Sequence, residues 1–200
     1  MFAGDGSDRA SAGFRATTQP RVDLAVPAHA DALLRWLNAW GCRIAAPQPG
    51  GERLFEIALG GWWERWGGPL PSDARTLAGL DDAAIDCLVG AFADLAPLVV
   101  ARSRAGHART MAPTAAAKAL HALRPAAVLP WDDTIARTLH GARDAPAFAA
   151  HLRLGRRWAQ ALLDETGLDE PALLDRFGRP DATLAKLLDE YCYTRFTAGR

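Results

Sequence analysis

Proline, glycine and aspartate divide this chain into segments that suit short helices. The 200 residues include 13 prolines and 18 glycines. Proline is tolerated in the first turn of a helix but breaks its interior, and glycine commonly follows a helix end. Between these breaks apolar residues recur three or four positions apart, and no alternation of period two persists. The pattern predicts an all-α protein.

Seven or eight helices are predicted, because aspartate and proline mark helix starts and glycine marks helix ends. Short helices joined by loops rich in proline and glycine favour an orthogonal multi-helix bundle. The helices are expected after 27 to 40, over 52–66, from 81 or 82 towards 101 with a break near 97, over 114–123, after 130, from 144 to about 166, from 169, and from 181 to about 193.

The segment 1–20 differs in composition from the rest. It is rich in small and polar residues, contains Asp5 and Asp8, and lacks the basic start and apolar run of a signal peptide. We expect it to be flexible or loosely attached, followed by a single helical domain over 21–200. No stretch approaches 18 uncharged apolar residues, so we expect a soluble cytoplasmic protein without a membrane partner.

Charge and cysteine content narrow the function classes. Lysine plus arginine number 23 and aspartate plus glutamate number 23, so net charge indicates no polyanionic partner. Cys42, Cys87 and Cys192 are far apart and form no CxxC pair, which excludes a disulfide framework or zinc cluster and predicts free thiols. No phosphate-binding loop or dinucleotide glycine motif occurs, so neither a metal nor a cofactor is predicted.

The main local anomaly is an interval without acidic residues between Asp94 and Asp132. Basic side chains in this interval predict a positive surface that could contact nucleic-acid phosphates. The alternative is that these arginines pair with acids from elsewhere in the fold. The predicted phosphate contacts are Arg102, Arg104, Arg109 and Arg124, and the interval also contains His107, Lys118 and His121.

The interval ends in a motif that resembles a known family. Residues 130–137 read Pro-Trp-Asp-Asp-Thr-Ile-Ala-Arg. The pattern Pro-x-Asp-x-x-Ile-x-Arg resembles the segment that carries the catalytic aspartate in helix-hairpin-helix DNA glycosylases. The preceding residues 117–125 look like the lysine-containing helix of 8-oxoguanine-type members. The resemblance covers residues 113–139, and the glycine-rich hairpin of the family is replaced by Met-Ala-Pro-Thr-Ala-Ala at 111–116.

The resemblance implies a glycosylase-like fold and cleavage of an N-glycosidic bond in nucleic acid, as in base excision. Asp132 would stabilise the oxocarbenium-like transition state, and Lys118 would be the attacking amine of a lyase-type member. Trp131, His121 and Arg137 would contact the substrate, which would be DNA or a nucleoside.

A structural role is open for each of these residues. Asp132 can serve as a helix cap, Lys118 can lie on a solvated surface, and His121 and Trp131 can be core side chains. Two alternatives for the whole protein are a non-catalytic module that binds nucleic acid or a protein, and a nucleoside N-glycosidase with a small substrate. The seven tryptophans also suggest a helical protein that binds a small molecule.

Overall fold

The computed structural model describes residues 4–45 and 52–198. These residues form a multi-helix bundle, so the all-α prediction is confirmed. Nine α-helices and one turn of π-helix occur in the described ranges. The α-helices are α1 (Gly4–Thr18), α2 (Pro27–Ala39), α3 (Leu54–Trp66), α4 (Asp82–Leu95), α5 (Ala112–Leu123), α6 (Asp133–His140), α7 (Ala145–Thr166), α8 (Glu170–Arg176) and α9 (Leu184–Cys192), and the π-turn is Tyr193–Thr197.

A small β-hairpin lies between α4 and α5, where the sequence predicted helix as far as residue 101. Its strands β1 (Val99–Arg102) and β2 (Ala108–Thr110) are antiparallel. Pro97 follows the end of α4, and Gly106 has a φ of 81° that suits glycine in the turn. Strands of four and three residues are too short for alternation to reveal them, which is why the sequence prediction was wrong here.

Residues 4–18 form α1, where composition predicted a flexible segment. Phe14 of this helix is buried, and the Trp36 indole of α2 donates a hydrogen bond to the Ser11 hydroxyl over 3.1 Å. Packing against α2 therefore offsets the entropy lost by ordering a small, polar sequence. Residues 1–3 lie outside the described residues.

Aspartate caps fix the starts of four helices, of which α4 begins after Asp81, whose side chain accepts from the Ala84 amide at 2.8 Å. The side chains of Asp132, Asp144 and Asp169 accept hydrogen bonds from the backbone three residues later, at 2.7, 3.0 and 2.9 Å, and begin α6, α7 and α8 as predicted. The last helix differs from the prediction. Its cap is Thr183, which accepts from the Lys186 amide at 3.1 Å, and Asp181 lies in the preceding loop.

The core is built around α7, the longest helix at 22 residues. Phe148 of α7 stacks on Phe92 of α4 with ring centroids 4.3 Å apart, and Trp131 packs edge-on against both. A Cβ atom at Gly155 would lie 2.8 Å from a methyl group of Leu129, so glycine permits this close approach. Within the described ranges, no helix combines the length and apolar character that crossing a membrane requires.

Candidate functional site

Asp132 lies at the N-terminus of α6 with both carboxylate oxygens engaged. Oδ1 accepts from the Ile135 amide at 2.7 Å, and Oδ2 accepts from the Thr197 hydroxyl at 2.9 Å. The first bond caps the helix, and the second ties the helix to the π-turn after α9. These contacts account for a half-buried carboxylate at this position without a ligand.

Lys118 has a structural partner of its own. Its ammonium donates to the Trp40 carbonyl over 2.7 Å, which links α5 to the end of α2. Among the described residues no ion pair joins Lys118 to Asp132. Burial raises the pKa of the Asp189 carboxyl, and Lys118 opposes this effect. Asp132 acts on another group: burial, Asp189 and Asp132 together raise the pKa of the Cys192 thiol to about 12.

Trp131 lies in the core, where its side chain has no exposed surface. It contacts Phe92, Phe148 and two histidines, and its indole nitrogen lies 3.4 Å from the Pro113 carbonyl oxygen. A ring enclosed on all sides cannot stack on a nucleic-acid base. We therefore assign Trp131 to the core and correct the prediction that it contacts substrate.

Two histidines beside Trp131 form a pair that sequence reasoning missed. His140 Nε2 lies 3.1 Å from His151 Nδ1, and His151 Nε2 lies 3.2 Å from the Pro130 carbonyl oxygen. Since a carbonyl only accepts, His151 donates through Nε2 and accepts from His140 through Nδ1. Burial lowers the pKa of His151 to about 3, so the ring is neutral at pH 7. The two residues lie on different helices, and no local motif signals their contact.

His121 is almost fully buried at the end of α5. Its Nδ1 lies 2.8 Å from the Val128 carbonyl oxygen, and its ring lies 5.5 Å from the Trp40 ring. Burial lowers its pKa to about 4, so the imidazole is neutral at pH 7. The ring lines a cavity of about 300 Å³ between α1, the end of α2, α5 and the segment before α9. Of the predicted site residues, His121 is the one that lines this cavity.

Arg124 is also buried, which removes it from the predicted phosphate contacts. Its guanidinium donates to the Pro71 carbonyl and, over 2.7 Å, to the Leu123 carbonyl. It forms an ion pair with Asp73 at 3.1 Å, although only 6% of the arginine side chain is exposed. Arg124 therefore pairs with an acid from elsewhere in the fold, which was the alternative to phosphate contact. A phosphate could not reach its buried guanidinium.

Arg137 lies on the exposed face of α6. Its guanidinium contacts both oxygens of Asp133 at 3.2 Å, one helical turn earlier, and Arg143 binds the same carboxylate at 2.5 Å. The pairing holds Arg137 along its own helix, and 56% of its side chain remains exposed. It is accessible to a ligand but is already neutralised in part.

The hairpin brings together the other three predicted phosphate contacts. Arg102, Arg104 and Arg109 are exposed, and none forms an ion pair with an acid in the described residues. Arg102 donates to the Gly106 carbonyl over 3.3 Å, which stabilises the turn. The hairpin contains no acidic residue, so it presents three guanidinium groups and the exposed His107 to solvent. Among the predicted residues this is the only group that the fold places on one accessible element.

No protein-family model, curated protein or solved structure matches this chain. Among the described residues, no three histidine, cysteine, aspartate or glutamate side chains are grouped so that they could hold a metal ion.

Proposed function

We propose that this protein is a nucleic-acid-binding module and that the β1–β2 hairpin is its binding element. The observation that supports this proposal is the set of three exposed arginines, Arg102, Arg104 and Arg109, without acidic partners in the described structure. Guanidinium groups bind phosphate oxygens through several N–H donors, and neutralising phosphates releases counterions. The near-zero net charge does not oppose this, because the positive charge is local.

Duplex nucleic acid is the form that suits this element. Residues 99–110 contain no phenylalanine, tyrosine or tryptophan on which unpaired bases could stack. Proteins that bind single strands typically provide such aromatic platforms. A two-stranded β-ribbon fits the major groove of a duplex, and arginines along it can contact the phosphates on either side.

Replacing all three arginines with glutamine tests the proposal. We expect the Arg102→Gln, Arg104→Gln, Arg109→Gln variant to bind a duplex oligonucleotide more weakly in fluorescence anisotropy. The slope of log affinity against log salt concentration should decrease by about one for each arginine that contacts a phosphate.

The matched control is a second triple variant with the same change in charge, Arg35→Gln, Arg157→Gln, Arg176→Gln. These arginines are exposed on other elements and have no ion pair in the described residues. The control should bind the duplex nearly as the wild type does. Equal losses in the two variants, or no duplex binding by the wild type, would refute the hairpin as the binding element.

A second candidate function, cleavage of an N-glycosidic bond, follows from the resemblance of residues 113–139 to the glycosylase family. Asp132 lies at a helix N-terminus, where a carboxylate interacts favourably with the helix dipole, but both of its oxygens bind protein groups. An Asp132→Asn variant separates the two functions, because asparagine caps helices as well as aspartate does. For a binding module, neither protein should release a base from a duplex. Release by the wild type that the variant loses would establish an enzyme.

A further inference from the structure

The cavity beside Trp40 lies away from the hairpin and is lined by residues that the nucleic-acid proposal does not use. We call it the Trp40 cavity, and its volume of about 300 Å³ suits a small ligand. It lies where α1, α2, α5 and α9 converge. The lining residues that matter for recognition are Ser11, Arg15, Trp40, His121, Arg179 and Lys186.

Two polar atoms of the lining have no hydrogen-bond partner in the described structure. The Trp40 indole Nε1 is buried and makes no hydrogen bond. His121 Nδ1 must carry the proton, because the Val128 carbonyl at 2.8 Å can only accept. His121 Nε2 is then a lone-pair acceptor with no partner among the described residues. His121 Nε2 therefore offers the cavity a hydrogen-bond acceptor, whereas the Trp40 indole Nε1 has almost no solvent-accessible surface and Trp40 lines the cavity with its ring.

The charges around the cavity favour an anion. Lys186 lies 4.6 Å from the centroid of the Trp40 ring and forms ion pairs with Asp189 at 3.1 Å and with Glu190 at 3.7 Å, neither of which lines the cavity. Arg179 contacts Glu190 at 2.9 Å. Arg15 is exposed at the edge of the cavity and has no ion pair with an acid in the described residues. Asp181 is the one acidic side chain in the lining, and it is exposed.

We propose that the Trp40 cavity binds a small organic anion through Arg15 and Lys186. The ligand also donates a hydrogen bond, from a hydroxyl or N–H group, to His121 Nε2 and packs against the Trp40 ring that lines the cavity. A carboxylate and a phosphate ester share this chemistry. The inference is independent of nucleic-acid binding, because the hairpin contributes no residue to the cavity.

Isothermal titration calorimetry with inorganic phosphate and with lactate, at constant ionic strength, tests the site. Glycerol serves as the uncharged probe. We expect saturable one-to-one binding of at least one anion, and the anion that binds identifies the preferred charged group. The Arg15→Gln variant should bind about tenfold more weakly or worse, as expected for the loss of a charge-assisted hydrogen bond. Arg15 is exposed, so this variant should fold normally.

A second measurement locates the ligand. The indole N–H signal of Trp40 in a proton–nitrogen NMR spectrum, assigned with a Trp40→Phe variant, should move on titration. The triple glutamine variant of the hairpin should bind the anion as the wild type does, which separates this site from the nucleic-acid proposal. The proposal is overturned if neither anion saturates below about 10 mM, if glycerol binds equally well, if Arg15→Gln leaves the affinity unchanged, or if the Trp40 signal does not move.

Discussion

Asp132 illustrates how one residue type at one position can fit two roles. An aspartate at a helix start satisfies the backbone amides of the first turn, and the same placement would suit a carboxylate that stabilises a positive transition state. The Thr197 hydroxyl occupies its second oxygen at 2.9 Å. The two residues are 65 positions apart in the sequence, so no local motif indicates this contact. Only the fold shows that Asp132 ties α6 to the π-turn.

Removing the Asp132 side chain should destabilise the protein. We expect Asp132→Ala to lower the free energy of unfolding by about 1–2 kcal/mol, because the cap of α6 and the bond from Thr197 are both lost. Asp132→Asn should change it by only a few tenths of a kcal/mol. Urea unfolding followed by circular dichroism measures both values. If the alanine variant is as stable as the wild type, the cap does not hold α6 as described.

Other residues differ in how far local sequence could place them. The caps Asp144 and Asp169 were predictable because a cap and its helix are adjacent in the chain. The ion pair of Arg124 with Asp73 and the contact of His140 with His151 join separate elements, and no local pattern specifies such partners. Predicting phosphate contact for Arg124 failed for this reason, whereas the exposure of the hairpin arginines agreed with the prediction.

At the scale of elements, helices with an aspartate or proline at the start were predictable whatever their length, including the short α6 and α8. The prediction placed α7 within about one residue of its ends, since Asp144 caps it and Gly167 follows it with a φ of 65°. The β1–β2 hairpin and α1 were missed. Both depend on packing against other elements, β1 on α3 and α1 on α2, and propensity alone does not report such packing.

Two glycines on different helices should respond in opposite ways to alanine. Gly155→Ala in α7 should destabilise the protein by roughly 1–3 kcal/mol, because the new methyl group would lie 2.8 Å from Leu129 and 3.3 Å from Leu77. Gly61→Ala in α3 meets no atom within 4 Å and should stabilise the protein by about 0.5–1 kcal/mol, because alanine favours helix. Thermal and urea unfolding measure both. A neutral Gly155→Ala would contradict the close approach of α7 to Leu129.

At the scale of the whole molecule, buried histidines couple stability to pH. Burial lowers the pKa of His121 to about 4 and of His151 to about 3, from an ordinary value near 6.5. At pH values between the lowered pKa values and about 6.5, these histidines bind protons in the unfolded chain but not in the folded protein. Stability is therefore complete above about pH 6.5 and decreases as the pH falls towards the folded values. Burial raises the pKa of Asp189 and Glu170, so their protonation in the folded protein opposes this loss as the pH falls.

Acidification from about pH 7 to about pH 5.5 should lower the free energy of unfolding by about 2 kcal/mol if both histidines contribute fully. Urea unfolding at the two pH values measures this loss. A His151→Gln variant should show about half of the pH-dependent loss, whatever its stability at pH 7. The exposed His107 provides a control, and His107→Gln should retain the full loss. Unchanged or increased stability at the lower pH would contradict the burial of these histidines.

The position of α7 in the chain also determines when the protein can finish folding during its synthesis. Phe148 covers Phe92 and Trp131, which belong to parts of the chain made earlier. Until a ribosome has released α7, which ends at Thr166, those two rings can contact each other but lack the Phe148 ring that packs on both. The side of the aromatic pair that Phe148 covers therefore stays open while the chain is made from Trp131 to the end of α7. The aromatic cluster closes when the long helix docks, and α8 and α9, which contribute Leu173 and Leu184 to the core, can pack only after it.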